Sequence, residues 1–513
     1  MRKISAVLLF AIFLLTYSKA LSAVFCVDNS SALQSALNTA ATNGEDDTVL
    51  IVQGTYVGNF SYASSEANSL DIEGGFEDNC LDRNIDPINT ALYGNNAGRV
   101  LDLSARKSTQ LTVNGLALQG GTGGGLLAWT YSGDVALLNN LITGNSTEGD
   151  GGGVAIYASS AVLTNNRIKE NSARQCGGGI MVDVENLTLN NNTIAENSAN
   201  IGGGLYSWGD GDTHNVRIFN NIFTGNSADM AGGMTIGRAT GYLANNIIVE
   251  NSTIYDGGGL NIQEPYGLTL INNTIAMNSA HHGGGVSVDL YNNSDTVNIY
   301  NNILWNNTVA GKVPMGADLC IDNDDNRDSI SSIVNLYNNN FDQSSRGTYI
   351  QRPFAIPLSN LNKSNPLFVN PSNLEFHLTE NSPCINTGSN NAPDLPNIDK
   401  DGNPRMRDGI VDMGAYEYSG SPVASLLTPT LTTTTNGTTI ICAWAAAVNA
   451  DGYKFSYAPY PYTGPGSIST IDMGAERSLS ADLWHGAAYF VAVQAYNGYG
   501  DTDFSNIVLF EIK

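Results

Sequence analysis

The feature that most constrains this chain is a unit that returns along its middle. LTNNRIKENSARQCGGGIMV, LNNNTIAENSANIGGGLYS, IFNNIFTGNSADMAGGMTI and INNTIAMNSAHHGGGVSV share an Asn pair, a short apolar stretch and a Gly run. Aligned on the second Asn of each pair, the copies fall at Asn140, Asn166, Asn192, Asn221, Asn246, Asn273, Asn302 and Asn339, in steps of 26, 26, 29, 25, 27, 29 and 37 residues. Periods in this range mark a solenoid or a propeller.

The residue three before that Asn is always aliphatic: Leu137, Leu163, Leu189, Ile218, Leu243, Leu270, Ile299 and Leu336. The residue two after it is always apolar: Ile142, Ile168, Ile194, Phe223, Ile248, Ile275, Leu304 and Phe341. After the Gly run, pairs such as Val154 and Ile156, Ile180 and Val182, or Val286 and Val288 alternate with period two. Each unit therefore reads as about three short strands separated by bends. One unit alone cannot bury its apolar face; stacking units as coils of a parallel β-helix does, because like residues fall on like. A propeller blade needs about 40 residues and four strands, so it fits worse. Asn suits the left-handed bends, and stacked Asn side chains can hydrogen-bond from coil to coil. The Gly run supplies positive φ angles and lets backbones approach.

Residues 31–43 read as an amphipathic helix, capped by Ser30 or Ser31 and stopped by Gly44, that closes the N-terminal end. Ahead of it, Arg2, Lys3, an apolar run from Ala6 to Leu15 and Leu21-Ser22-Ala23 read as a cleaved secretory signal. Export permits disulfides, and Cys26–Cys80 is the expected bridge; Cys442, in an apolar run, is expected to be a buried thiol. The formal net charge of −25 argues against nucleic acid and anionic membrane as partners.

VFCVDNSSALQSALNTAATNGEDDTVLIVQGTY followed by DIEGGFEDNC resembles the opening of secreted right-handed β-helix proteins of the pectate-lyase-like superfamily. The repeats are similar to those of polymorphic outer membrane proteins. NPLFVNPSNLEFHLTENSPCINTGSNN with IDKDGNPRMRDGIVDMGAYEY resembles a choice-of-anchor Q region. After Tyr418 the chain departs from the outer-membrane pattern, which ends in a translocating barrel. A Thr/Pro-rich stretch leads to residues that resemble a fibronectin type III module, with Trp444 in its core and Leu483 and Tyr489 at the spacing of its tyrosine corner. The expected class is all-β: a right-handed parallel β-helix and then a small β-sandwich. The expected divisions are a signal at 1–23, an N-terminal cap and first coils at 24–110, repeat coils at 111–345, a C-terminal coil and cap at 346–418, a linker at 419–439 and a sandwich at 440–513. Secretion or display at the cell surface is expected, with the periplasm as the other destination. The mature chain is expected to be a monomer without a transmembrane segment.

The superfamily hosts lyases, hydrolases and binding scaffolds, so function is read from side chains. Arg167-Ile168-Lys169 matches one fragment of the polygalacturonase pattern, but that family's paired Asp motifs are missing. Uronate lyases need cations at the substrate carboxylate, and residues 111–311 hold only Arg167, Lys169, Arg174, Arg217 and Arg238. Outward positions after the Gly run offer more. The fourth residue is Trp129, Tyr157, Asp183, Trp208, Gly237, Gln263 and Asp289; the second is Leu127, Ala155, Met181, Tyr206, Thr235, Asn261 and Ser287. Both sets should face solvent. Coils spaced ~4.8 Å apart match the rise of an extended glycan. Trp129, Tyr157, Tyr206 and Trp208, with Asp183 and Asp210, form the candidate glycan-binding strip, its rings stacking on sugars. Asp183 and Asp289 are four coils apart, roughly 19 Å, too far for a glycosidase pair; Asp183 with Asp210 or Asp212 remains geometrically open, near His214. No cofactor is expected, although residues 209–212, 322–326 and 399–403 are acidic enough to attract Ca²⁺. Extracellular binding or adhesion, to a glycan (a polysaccharide or cell-surface glycan) or to a surface, is thus the leading expectation. A lyase or glycosidase on the same face comes second, and a passive stalk third.

Overall fold

The computed structural model describes residues 22–209, 214–291, 295–310, 316–322, 332–350, 356–407, 409–419, 428–447, 450–462, 467–497, 500–502 and 504–513. The chain divides into two compact units, residues 1–417 and 418–513. The first is a β-solenoid whose coils pair in parallel as three sheets. The aliphatic columns superpose: Leu137 pairs with Leu163, Leu163 with Leu189, Leu189 with Ile218, and so on to Ile299 with Leu336. Ile142, Ile168, Ile194, Phe223, Ile248 and Ile275 stack in the second sheet. These side chains are at most 5% exposed, so each is worth roughly 1.5–3 kcal/mol.

The two Asn of each pair divide the labour. The first (Asn139, Asn165, Asn191, Asn220, Asn245, Asn272, Asn301, Asn338) takes the left-handed bend, at φ between +52° and +60°. The second is buried and forms a ladder. From Asn140 to Asn360, each Nδ2 donates to Oδ1 of the next coil at 2.9–3.1 Å. A parallel ladder stands five residues further on, at Asn145, Asn171, Asn197, Asn226, Asn251, Asn278 and Asn307. Asp318 takes its last rung, accepting from Asn307 Nδ2 at 2.9 Å and from the Asp342 N–H at 2.8 Å. Burial pushes the Asp318 carboxyl up to about 6.

The Gly run works in two ways. Its third member lies against the next coil: a Cβ on Gly179 would sit 2.7 Å from the Gly204 carbonyl and 3.0 Å from Asn197 Nδ2. Its first member, at φ +68° in Gly177, folds the turn over the residue four positions on. This cover corrects, for four of the seven coils, the expectation that the second residue after the run faces solvent, while Leu127, Met181 and Tyr206 stay half-buried. Ala155, Thr235, Asn261 and Ser287 are at most 3% exposed beneath these turns.

The N-terminal helix spans Ser30–Ala40 and buries Leu33, Ala36, Leu37 and Ala40. Its cap is Asn29 rather than a serine, with Oδ1 accepting from Ala32 N at 2.9 Å. Cys26 and Cys80 form the expected disulfide.

Beyond the last coil the chain does more than cap. Residues 384–417 leave the end of the solenoid, run back along its side and return, forming a strap. Outbound, Asn338 Nδ2 donates to the Thr387 carbonyl, Asn301 bonds Ser389, and Asn245 Nδ2 reaches the Ile398 carbonyl. At the tip, Lys400 Nζ donates to the Asn220 carbonyl at 2.6 Å. On the return, Asn272 Nδ2 donates to the Asp412 and Gly414 carbonyls. The strap is fixed by Arg405, 1% exposed, which donates to Glu417 Oε1 (3.0 Å), Asn245 Oδ1 (2.6 Å) and the Ala415 carbonyl (2.7 Å). Burial pushes Glu417 up, while the Arg405 charge pulls the other way. Asp399 spends its carboxylate on the N–H groups of Asp401, Asn403 and Glu417, which leaves the 399–403 turn a backbone clasp rather than a cation site. His377 lies between Glu375 and Asp401 and stacks on Tyr416 at 3.8 Å. Under the strap Ile247, Val249 and Ala276 are buried with Phe376 and Ala415.

The second unit is a small antiparallel sandwich. Leu431–Asn436, Thr439–Trp444 and Ser478–Asp482 form one sheet; Gly452–Pro459, Ser469–Gly474 and Ala488–Asn497 anchor the other. The expected linker at 419–439 is therefore too long. Its β-branched Thr run is the first strand, closed by a tight turn with Gly437 at φ +59°. Trp444 is buried between Tyr453 and Phe455, and Cys442 is a buried thiol.

Candidate functional site

A groove of about 380 Å³ opens on the long sheet, lined by Trp129, Tyr131, Tyr157, Ser159, Asp183, Glu185, Gly209 and His214 among others. Its floor follows from register. Trp129 pairs with Tyr157, and Tyr157 with Asp183, so one outward column carries ring, ring and carboxylate on successive coils. All three are half-buried. Tyr131, Ser159 and Glu185 lie two residues further on in the same coils and form the outer rim. The period of two that carries Trp129, Tyr157 and Asp183 outward points these three outward as well. Burial raises the Tyr157 hydroxyl pKa, and the nearby Asp150 and Asp183 charges raise it further.

The strip is shorter than expected. Tyr206 and Trp208 do not line the groove; they stack on each other at 6.4 Å and 10°. The Trp208 ring lies over Gly237, where a Cβ would meet it at 2.1 Å, and the Arg238 guanidinium sits 5.7 Å from its centroid. Arg238 in turn pairs with Glu264. Trp208, half-buried, thus lies flat against the neighbouring coil on the outer face. Asp210 and Asp212 lie outside the described residues, as does most of the acidic stretch 322–326.

At one end of the groove the core itself turns polar. Ser207 replaces an aliphatic residue in the inward column between Val182 and Ile236. Its Oγ lies 3.0 Å from Nε2 of buried His214, whose Nδ1 has no hydrogen-bond partner among the described residues. Burial pushes the His214 pKa down to about 4, so the ring is neutral at neutral pH. Ser207 is 1% exposed, which keeps its hydroxyl away from any solute in the groove.

A second groove, of about 350 Å³, lies on the sandwich between Tyr462, Ile468, Phe490, Phe504 and Ile507. It is almost wholly apolar, with Ser456, Tyr457 and Tyr462 as the polar side chains of its lining. Among the described residues no cluster of three or more His, Cys, Asp or Glu is placed to hold a metal ion, and no helix is long and apolar enough to cross a membrane.

The architecture defines a class: an all-β chain made of a parallel β-helix and a small β-sandwich. The family model described as "Right handed beta helix region" matches residues 93–246, which include the whole groove column. Solved structures align with about a sixth of the chain. They include one titled "Myokine structure" (22% identity, 17% of this chain and 98% of that one, TM-score 0.15). The fibronectin type III domain of human collagen alpha-1(XX) aligns at 21% identity (18% of this chain and 91% of that one, TM-score 0.16). The chicken CNTN1 FN1-FN3 domains align at 17% identity, over 17% of this chain and 31% of theirs, with a TM-score of 0.16. No curated protein matches the chain.

Proposed function

We propose that the chain is exported and acts as a binding protein that holds a glycan, free or on a cell surface, in the groove at Trp129, Tyr157 and Asp183. The observation that carries this reading is the pairing of Trp129 with Tyr157 on adjacent coils of a parallel sheet. That spacing, ~4.8 Å, sets two ring faces at the interval of consecutive sugars, beside carboxylates that accept from hydroxyls. The Cys26–Cys80 bond supports an oxidising destination. The test is retention on a glycan array with product analysis of every hit. Binding predicts that Trp129→Ala and Tyr157→Ala each weaken retention with unchanged thermal unfolding. New reducing ends or unsaturated products, lost in Asp183→Asn, would instead establish an enzyme on this face. No retention of any glycan would leave the stalk.

A further inference from the structure

We infer that the groove's ligand carries amino groups: a glycan containing free, unacetylated amino sugars. This inference rests on the glycan-binding reading and adds the sign of the ligand's charge. Every ionised side chain along the groove's lining is an acid, Asp183 on the floor and Glu185 on the exposed rim. Asp150 is close enough to perturb the Tyr157 hydroxyl from the neighbouring turn; the Arg99 charge, outside the groove's lining, acts on it in the opposite sense and ranks after both Asp150 and Asp183. The outward column contributes no Lys or Arg from Ser104 through Trp129, Tyr157, Asp183, Trp208, Gly237, Gln263 and Asp289 to Asp322. Arg238, further along this face, is matched by Glu264 and lies against Trp208.

The aromatic residues favour the same charge. Tyr and Trp faces present the negative side of their quadrupole, so an ammonium held over Trp129 or Tyr157 is attracted by the ring as well as by the acids. The order of groups gives the pose. Two sugar rings lie on Trp129 and Tyr157, and the amine at the third position meets Asp183, with Glu185 two residues beyond it. A polyuronate in the same pose would set its carboxylates against both acids and be repelled. A neutral glycan would gain the stacking and forgo the charge.

The experiment immobilises four polymers: a neutral β-linked glucan, an N-acetylated amino-sugar polymer, its de-N-acetylated form and polygalacturonate. The full chain is passed over each at low and at physiological salt. The de-N-acetylated polymer should retain it most strongly, and salt should erode that advantage. Glu185→Gln, at an exposed position, and Asp183→Asn should each narrow the preference by roughly threefold. Trp129→Ala should weaken retention on every polymer that binds. Equal retention of the acetylated and de-N-acetylated polymers would overturn the inference and leave the glycan-binding reading intact. Retention by none would overturn both. If retention on the polycation survives Trp129→Ala with Tyr157→Ala unchanged, the attraction belongs to the net charge of −25 as a whole, and the assignment to this groove fails.

Discussion

Replacing Arg405 by Met should detach the strap without unfolding the coils. The guanidinium is 1% exposed and makes three hydrogen bonds, to Glu417, Asn245 and the Ala415 carbonyl. Met preserves much of the apolar stem and removes all three. Glu417, 4% exposed, then keeps the Asp412 N–H on its Oε1 but loses the cation that balances it. Removing one partner of a buried ion pair costs about 3–5 kcal/mol. The remaining polar anchors, such as Asn272 to Asp412 or Asn338 to Thr387, each net about 1 kcal/mol. The loss therefore falls on a segment otherwise held by such single bonds and a small apolar cluster, and local opening should precede global unfolding. Native-state proteolysis with mapped cleavage sites reads this directly, because cutting follows the population of the open form. Three kcal/mol corresponds to roughly a hundredfold faster cleavage between residues 384 and 417, while residues 111–290 stay resistant. Adding Glu417→Gln to Arg405→Met should recover a good part of the protection, since no buried charge is then left bare. Unchanged protection in Arg405→Met, or cleavage rising equally along the whole chain, would refute the reasoning and assign the strap's hold to Phe376, Ala415 and Tyr416.

Three further outcomes follow from the same structure. Asn246→Ala removes an acceptor for Asn221 N and Nδ2 and a donor to the Ile218 carbonyl and Asn273; denaturant unfolding should show a loss of about 3 kcal/mol, against under about 0.5 kcal/mol for Glu185→Gln on the exposed rim. His377 titrates in the opposite sense to a buried carboxylate: burial alone would lower its pKa, but the hydrogen bonds and charges of Asp401 and Glu375 outweigh it and lift the ring to about 9. Its contribution, roughly 2 kcal/mol after discount for solvent, is complete below pH 6.5 and lost between pH 6.5 and about 9, so strap protection should fall across that window in the parent and stay flat in His377→Gln. Cys26→Ser with Cys80→Ser opens a loop with a sequence separation of 54 and should lower stability by roughly 2–4 kcal/mol, read as a fall in the midpoint of thermal unfolding that reducing agent reproduces in the parent.

The solenoid was legible because its information is periodic. Leu137, Leu163 and Leu189 occupy the same site on three coils, and register alone puts them together. The second Asn column was equally open to reading, always five residues after the first, yet it hid inside the phrases ENSA and GNSA. The strap was not legible by period. Its bonds join residues 49 to 180 apart in sequence, as in Asn338 with Thr387 and Lys400 with Asn220. One trace existed: outward positions of the second sheet include Arg167, Lys169 and Thr193 in early coils, whereas Ile222, Ile247, Val249, Ile303 and Trp305 outnumber Thr224 and Thr274 in later ones. That change from polar to apolar announces a covered face. At the groove, alternation located Trp129, Tyr157 and Asp183 correctly on the outside. What it could not foresee was Trp208 spread across the bare backbone of Gly237, since ring direction depends on the neighbouring coil.

The one-way amide ladders bear on how such a chain can change length. Each coil offers its successor the same donors that its predecessor offered it, so a duplicated coil would join with no mismatched seam. That freedom is uneven. Between Asn220 and Asn338 the strap measures the stack against a fixed span of chain, and an extra coil there would pull its anchors out of reach. Ahead of Asn220 nothing keeps such a tally among the described residues, and there the Trp129–Tyr157–Asp183 column stands. The molecule can therefore lengthen its candidate binding face by tandem duplication while the strapped half stays constant.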